Sequence, residues 1–151
     1  MRKGFTLAEI VIAIAILVVV GTVMLASIRE YTKEQALSGA VSSVAAVLSD
    51  ARLRTLSGNA GVQYGVHLQS DAVVLFSGAT YTESDPNNEV IELDTRVMIA
   101  DISLSGGGED IVFEKLSGDT DNFGTVTLAL SSDASRQRTI TVQGTGLVSI
   151  E

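Results

Sequence analysis

Residues 10–26 read IVIAIAILVVVGTVMLA, without a single charge. Extended to Phe5 and Ile28, the stretch is 24 residues long and holds one charge, Glu9. A membrane-spanning helix takes ~20 predominantly apolar residues. This run is apolar on every side of a helix rather than along one stripe, which favours lipid or like helices as its surroundings. Arg2 and Lys3 precede it, and positive charge on that flank places the N-terminus in the cytoplasm. A removable secretory signal would show a small-residue cleavage site after the apolar run. Here the run passes directly into Arg29-Glu30-Tyr31-Thr32-Lys33, so the helix is expected to continue into water.

Outward from that run, no proline interrupts residues 5–57. From Arg29 to Leu56 the pattern becomes amphipathic. Leu37, Val41, Val44, Val47/Leu48 and Ala51 follow three-and-four spacing, with charges at Lys33, Glu34, Asp50, Arg52 and Arg54. Ser57-Gly58-Asn59-Ala60-Gly61 supplies a stop. At 1.5 Å per residue the whole segment predicts one helix of ~80 Å. After Gly61 the period changes to two. Val62, Tyr64, Val66 and Leu68 alternate with Gln63, Gly65, His67 and Gln69 as a half-buried strand, and residues 72–76 are its expected partner. Residues 78–89 read as a loop. Further strands are expected at 90–93, 97–104, 111–116, 125–130, 138–142 and 147–150. The expected fold class is α+β: a long N-terminal helix, transmembrane in its first half, packed on an antiparallel β-sheet meander.

The chain has 151 residues and a net charge of −8. Beyond Ile28 it carries 8 basic and 17 acidic residues, so nucleic acid is not the expected partner of that region. The absence of cysteine excludes disulfides, thiolate metal sites and cysteine nucleophiles. A lone histidine, His67, leaves multi-histidine metal sites and most triads out of reach. Gly106-Gly107-Gly108 lacks the Lys-Ser/Thr of a phosphate-binding loop and reads as a hairpin loop. Glu109 and Asp110 are adjacent, so a strand sends them to opposite faces. Asp119, Asp121 and Asn122 offer hard oxygen ligands of the kind calcium takes, without an acidic residue at the far end of the loop to chelate it. Asx turns account for the same residues. No catalytic constellation and no cofactor site emerges, and an enzyme is not expected.

Glu9 remains the anomaly. A carboxylate within a spanning segment costs ~2.5–3.5 kcal/mol on insertion scales and marks function by default. Met1-Arg2-Lys3-Gly4-Phe5-Thr6-Leu7-Ala8-Glu9 closely resembles the leader and mature start of type IV prepilins and type II secretion pseudopilins. That resemblance implies cleavage after Gly4 by a prepilin peptidase, N-methylation of Phe5, and an assembly role for Glu9. A free amine and a buried carboxylate are each costly alone and offset one another when paired between subunits.

The resemblance further implies a leader at 1–4, a transmembrane and filament-core helix at 5–28, an amphipathic helix at 29–57 and a sheet domain at 58–151. The expected partners are other pilin or pseudopilin subunits, an inner-membrane assembly platform and membrane lipid. The expected location is the inner membrane, single-pass with the C-terminal domain outside, and then an extracytoplasmic filament. Residues 139–146, TITVQGTG, resemble the closing segment of H-type pseudopilins and related minor pilins. Some related minor pilins capture DNA during transformation, and Arg136 and Arg138 are the only basic candidates for such contacts here. Some major pseudopilins bind calcium in a loop, which returns attention to Asp119, Asp121 and Asn122. The kinking proline of many pilins is replaced by Ala26 and their C-terminal cysteine pair is missing, which favours a pseudopilin or minor pilin over an adhesive major pilin.

Overall fold

The structure, a computed structural model, describes residues 4–58 and 61–151, without the side chains of 23–27 and 29. Arg2, Lys3, Asn59, Ala60 and the side chain of Ala26 therefore lie outside the described residues. One helix, α1 (Leu7–Leu56), occupies the proline-free segment. It ends where Gly58 adopts a left-handed φ of 66° and the Ser57 hydroxyl donates to the Arg54 carbonyl at 2.9 Å, giving an exposed carbonyl a partner that the helix itself no longer supplies. The Thr55 hydroxyl donates to Ala51 O at 2.9 Å and accepts from Tyr64 N–H at 3.0 Å. That buried hydroxyl fastens the helix end to the first strand.

The chain divides into two compact units, residues 1–35 and 36–151. The first is helix from Leu7 onward. The second holds the remainder of α1 and eight strands: β1 (Tyr64–Leu68), β2 (Ala72–Ser77), β3 (Glu89–Glu92), β4 (Val97–Leu104), β5 (Asp110–Val112), β6 (Gly124–Leu130), β7 (Asp133–Val142) and β8 (Val148–Ile150). This is the α+β architecture expected from the change of period, and it is pilin-like, as the resemblance of the N-terminal motif implied.

The strands do not form one meander. They divide between two four-stranded antiparallel sheets of order β3-β2-β1-β5 and β4-β6-β7-β8. The switch falls at residues 94–96, where Asp94 Oδ1 accepts from the Arg96 backbone N–H at 3.0 Å in a tight Asx turn. Ile99 N–H then donates to Ser70 O at 2.9 Å, tying the start of β4 to the β1–β2 turn. β5 returns to pair with β1, opposite Gly65–His67. The strand expected over 111–116 stops at Val112, because the chain turns at 114–118, where Gly118 N–H donates to Glu114 O at 2.9 Å. β7 starts five residues earlier than expected, at Asp133.

One core joins both sheets to the helix. Leu37, Val41, Val44, Leu48 and Ala51, five positions of the predicted stripe, are buried, with Ala40 beside them and Val47 half-buried at the margin. They meet Val66, Leu68, Leu75, Ile111 and Phe113 from one sheet and Val126, Leu128, Ile140 and Val142 from the other. The 36–151 unit has two distinct ends. Register places Tyr64, Phe113, Leu104, Gly124 and Val142 toward the C-terminus of α1, and Leu68, Val97, Leu130 and Ser131 at the opposite end. At the α1 end, Arg52 Nε and Nη2 donate to Gly118 O and Thr145 O, each at 3.1 Å, joining two loops to the helix. A side chain at Gly146, whose φ is 72°, would run into Gly118 O and Arg52, so only glycine lets this turn close.

Candidate functional site

Thr6 and Glu9 start α1 as a reciprocal cap. The Thr6 backbone N–H and hydroxyl each donate to Glu9 Oε2 at 3.0 Å, and Glu9 N–H donates to Thr6 Oγ1 at 3.3 Å. Thr-x-x-Glu is the capping-box pattern, in which the two side chains satisfy N–H groups that the first helical turn leaves without carbonyls. Glu9 also lies in the first turn, where the helix dipole favours its charge. Gly4 and Phe5 precede the helix and are exposed, Phe5 at 84%. A Cβ at Gly4 would meet nothing within 4 Å among the described residues.

From Phe5 to Val20 every residue is exposed, including Leu7, Ile10, Ile16, Leu17 and Val18. Single exposed apolar side chains are ordinary, but a continuous surface of them marks an interaction site. Among the described residues no helix is long and apolar enough to cross a membrane. The fully described part of the apolar run, residues 7–22, is itself shorter than the ~20 residues of a span.

The other sequence candidates fall into place separately, in the 36–151 unit. His67 lies on β1 with Nδ1 2.6 Å from Asp110 Oδ1 on β5. Tyr81 stacks on the imidazole at 4.0 Å, nearly parallel, and meets Phe76 edge-on at 5.6 Å. The group fastens the 78–88 loop to the outer face of the first sheet. Glu109 takes no part in it; its carbonyl accepts from Leu68 N–H. Asp119 and Asp121 are used by their backbones: Asp119 O accepts from Glu114 N–H at 2.8 Å, and Asp121 O accepts from the Ser105 hydroxyl. Asn122 N–H donates to Thr120 Oγ1 at 3.2 Å, and its side chain lies against Gly106. Among the described residues no three His, Cys, Asp or Glu are grouped to hold a metal ion. Arg136 lies 3.9 Å from Asp133, and neither it nor Arg138 stands free of protein contacts.

Two features differ in how far the local sequence reports them. The capping box was legible as Thr-x-x-Glu ahead of an apolar run. The His67–Asp110 pair was not, because it depends on β5 pairing with β1 across more than 40 residues of chain.

The described chain thus joins an exposed apolar helical run, headed by a carboxylate, to a unit of helix and two antiparallel sheets, an α+β, pilin-like architecture. Residues 1–25 match the family model of the prokaryotic N-terminal methylation motif, the signature of type IV pilins and pseudopilins. That motif is characteristic of pilin-type structural proteins. It implies processing by a prepilin peptidase, insertion of the N-terminal helix in the inner membrane, and assembly with other pilin subunits. No curated protein and no solved structure matches the chain.

Proposed function

We propose that this chain is a structural subunit of a type IV pilus or type II secretion pseudopilus, cut between Gly4 and Phe5 and N-methylated on Phe5. Residues 5–28 hold it in the inner membrane as a single pass, with the N-terminus in the cytoplasm and the C-terminal domain outside. An assembly platform then draws it into a filament whose core is made of 5–28 segments and whose surface is made of 58–151 domains. The observation that carries this reading is the methylation motif on a helical run whose apolar side chains are exposed from Phe5 to Val20. Such a surface is stable only in lipid or among like helices.

Glu9 has a specific part in this scheme. Before cleavage its carboxylate is held by its own Thr6. Cleavage creates an amine at Phe5, and in a filament the Glu9 of a neighbouring subunit pairs with it, setting the axial register. Intact-mass measurement on membrane-bound and filament-bound chains tests the processing step. The expected mass begins at Phe5 and includes one methyl group; filament subunits that still begin at Met1 would overturn the reading.

A further inference from the structure

Two surface features lie at opposite ends of the 36–151 unit. At the α1 end, Leu116 stands at the tip of the 114–118 turn, 96% exposed and with a left-handed φ of 72°. It is the one non-glycine residue with positive φ among those described. The turn is fixed by Glu114 N–H to Asp119 O and by Gly118 N–H to Glu114 O, at 2.8 and 2.9 Å. A branched side chain is thus held rigidly in a disfavoured conformation and in full contact with water, with exposed Lys115 beside it. At the opposite end, a cleft of about 530 Å³ lies between β2, β3 and the start of β4, with Ala72, Val90, Leu93, Val97 and Met98 forming its apolar part and Gln69, Ser70, Thr95 and Ser131 among its polar lining. Its rim carries the exposed carboxylates of Asp71 and Glu92, while Asp94 is already paired with Arg96 at 2.7 Å.

We infer that Leu116 and Lys115 of one copy dock into this cleft on a second copy, Leu116 on the apolar floor and Lys115 at the Asp71/Glu92 rim. Shape and charge both select this occupant. The knob is a preorganised apolar tip beside a cation, and the hole is an apolar floor beside two carboxylates. Elsewhere the domain is strongly acidic and repels its own kind, so a cation against carboxylates is what permits a close approach of two copies. Because knob and hole are different surfaces at opposite ends, the contact is heterologous and head-to-tail. It does not close on itself and propagates. The inference rests on the filament reading above and adds to it a domain-to-domain contact independent of the apolar helices.

The chain contains no cysteine, which permits a clean test with the full-length protein in membranes and sheared filaments. The variant Leu116→Cys/Val90→Cys, treated with a short bis-maleimide, is expected to give a ladder of dimers, trimers and higher species. A mixture of chains carrying one cysteine each is expected to stop at dimers, and each single variant alone to give none. Dimers from Leu116→Cys alone, cross-links to a different protein, or no ladder from assembled filaments would each overturn the inference. Leu116→Gly separates docking from folding: relief of the left-handed strain should leave the melting temperature equal or higher, while incorporation beside wild-type chains falls severalfold. Lys115→Glu should weaken the ladder and Lys115→Glu/Glu92→Lys restore it; no restoration counts against the assigned rim. The mass of the same samples tells the two readings apart. Chains still beginning at Met1 overturn both, whereas chains processed at Phe5 and assembled without the ladder overturn the docking alone.

Discussion

Residues 7–22 and 36–56 belong to the same helix and are both rich in aliphatic side chains, yet their surroundings are opposite. Along 36–56 the apolar positions fall on one stripe, and Val44, Leu48 and Ala51 have no exposed surface at all. Along 7–22 the apolar positions go all round, and none of them is buried. Helical secondary structure is therefore no guide to where the stabilising energy lies. Burial of apolar surface contributes roughly 25 cal/mol per Å², and only the second stretch gains it from its own chain. The first keeps its apolar surface available for lipid or other copies. Burial within the chain therefore stabilises 36–151, while the run from Leu7 to Thr22 contributes none of its own.

Two substitutions of opposite effect would break that division if it is wrong. Val44→Asp places an unpaired carboxylate in the core and should cost ~3–5 kcal/mol, abolishing or greatly lowering the melting transition of the chain in mild detergent. Val18→Asp, on the exposed run, should leave the same transition within a degree or two. Equal damage from both would show that the apolar run is part of the folded core. Glu9→Leu is the mirror image of Val44→Asp. It should leave the melt and the membrane-fraction abundance intact, since an apolar side chain is cheaper in lipid, and yet reduce incorporation into filaments beside wild-type chains by tenfold or more. Normal incorporation would remove the pairing role of Glu9.

A smaller effect is expected where the two loops meet the helix. Arg52→Ala removes two charged hydrogen bonds to Gly118 O and Thr145 O and should cost ~1–3 kcal/mol. Arg52→Lys should recover less than half of it, because a single ammonium does not reproduce the fork of the guanidinium. Full recovery by lysine would reduce the contact to simple charge.

Much of this fold is legible in the sequence because apolar period alone reports it. Leu37, Val41, Val44, Leu48 and Ala51 announce the helix face, and the switch to period two at Val62 announces strands. Period two says which face a residue takes and nothing about which sheet it joins. β4 matches its expected bounds, 97–104, yet the meander fails at 94–96, where a side chain-to-backbone turn redirects the chain. Likewise Ile111–Leu116 reads as strand, but Gly118 at a φ of 70° ends the pairing early and leaves Leu116 as a tip. The assembly candidates were legible because Gly4, Phe5 and Glu9 sit in a fixed motif. Asp110 beside His67 and the cleft at Val90 are products of strand register and sheet order, which no local pattern encodes.

The smallest expected effect lies at that redirecting turn. Arg96 donates to Asp94 through its guanidinium, at 2.8 and 2.7 Å, and through its backbone N–H at 3.0 Å. Those donors, the guanidinium foremost, lower the Asp94 carboxyl from 3.8 to about 2. A carboxyl depressed on folding stabilises the native state at pH values above its ordinary range. That contribution fades as pH falls from about 4 to about 2, where Asp94 takes its proton in the folded state too. Both side chains are largely in water, so screening leaves only a small effect. Arg96→Gln keeps the backbone donor and the turn while removing the charge. It should therefore raise the Asp94 pKa only part of the way to 3.8, and lower stability slightly at pH 7. Melting curves of the variant and the wild type should converge as pH is taken from 5 to 2, and added salt should narrow the gap at pH 7. A gap that is large at pH 7 and unchanged at pH 2 would mean that Arg96 holds the turn by packing rather than by charge. The switch between the two sheets would then rest on the arginine stem instead of on Asp94.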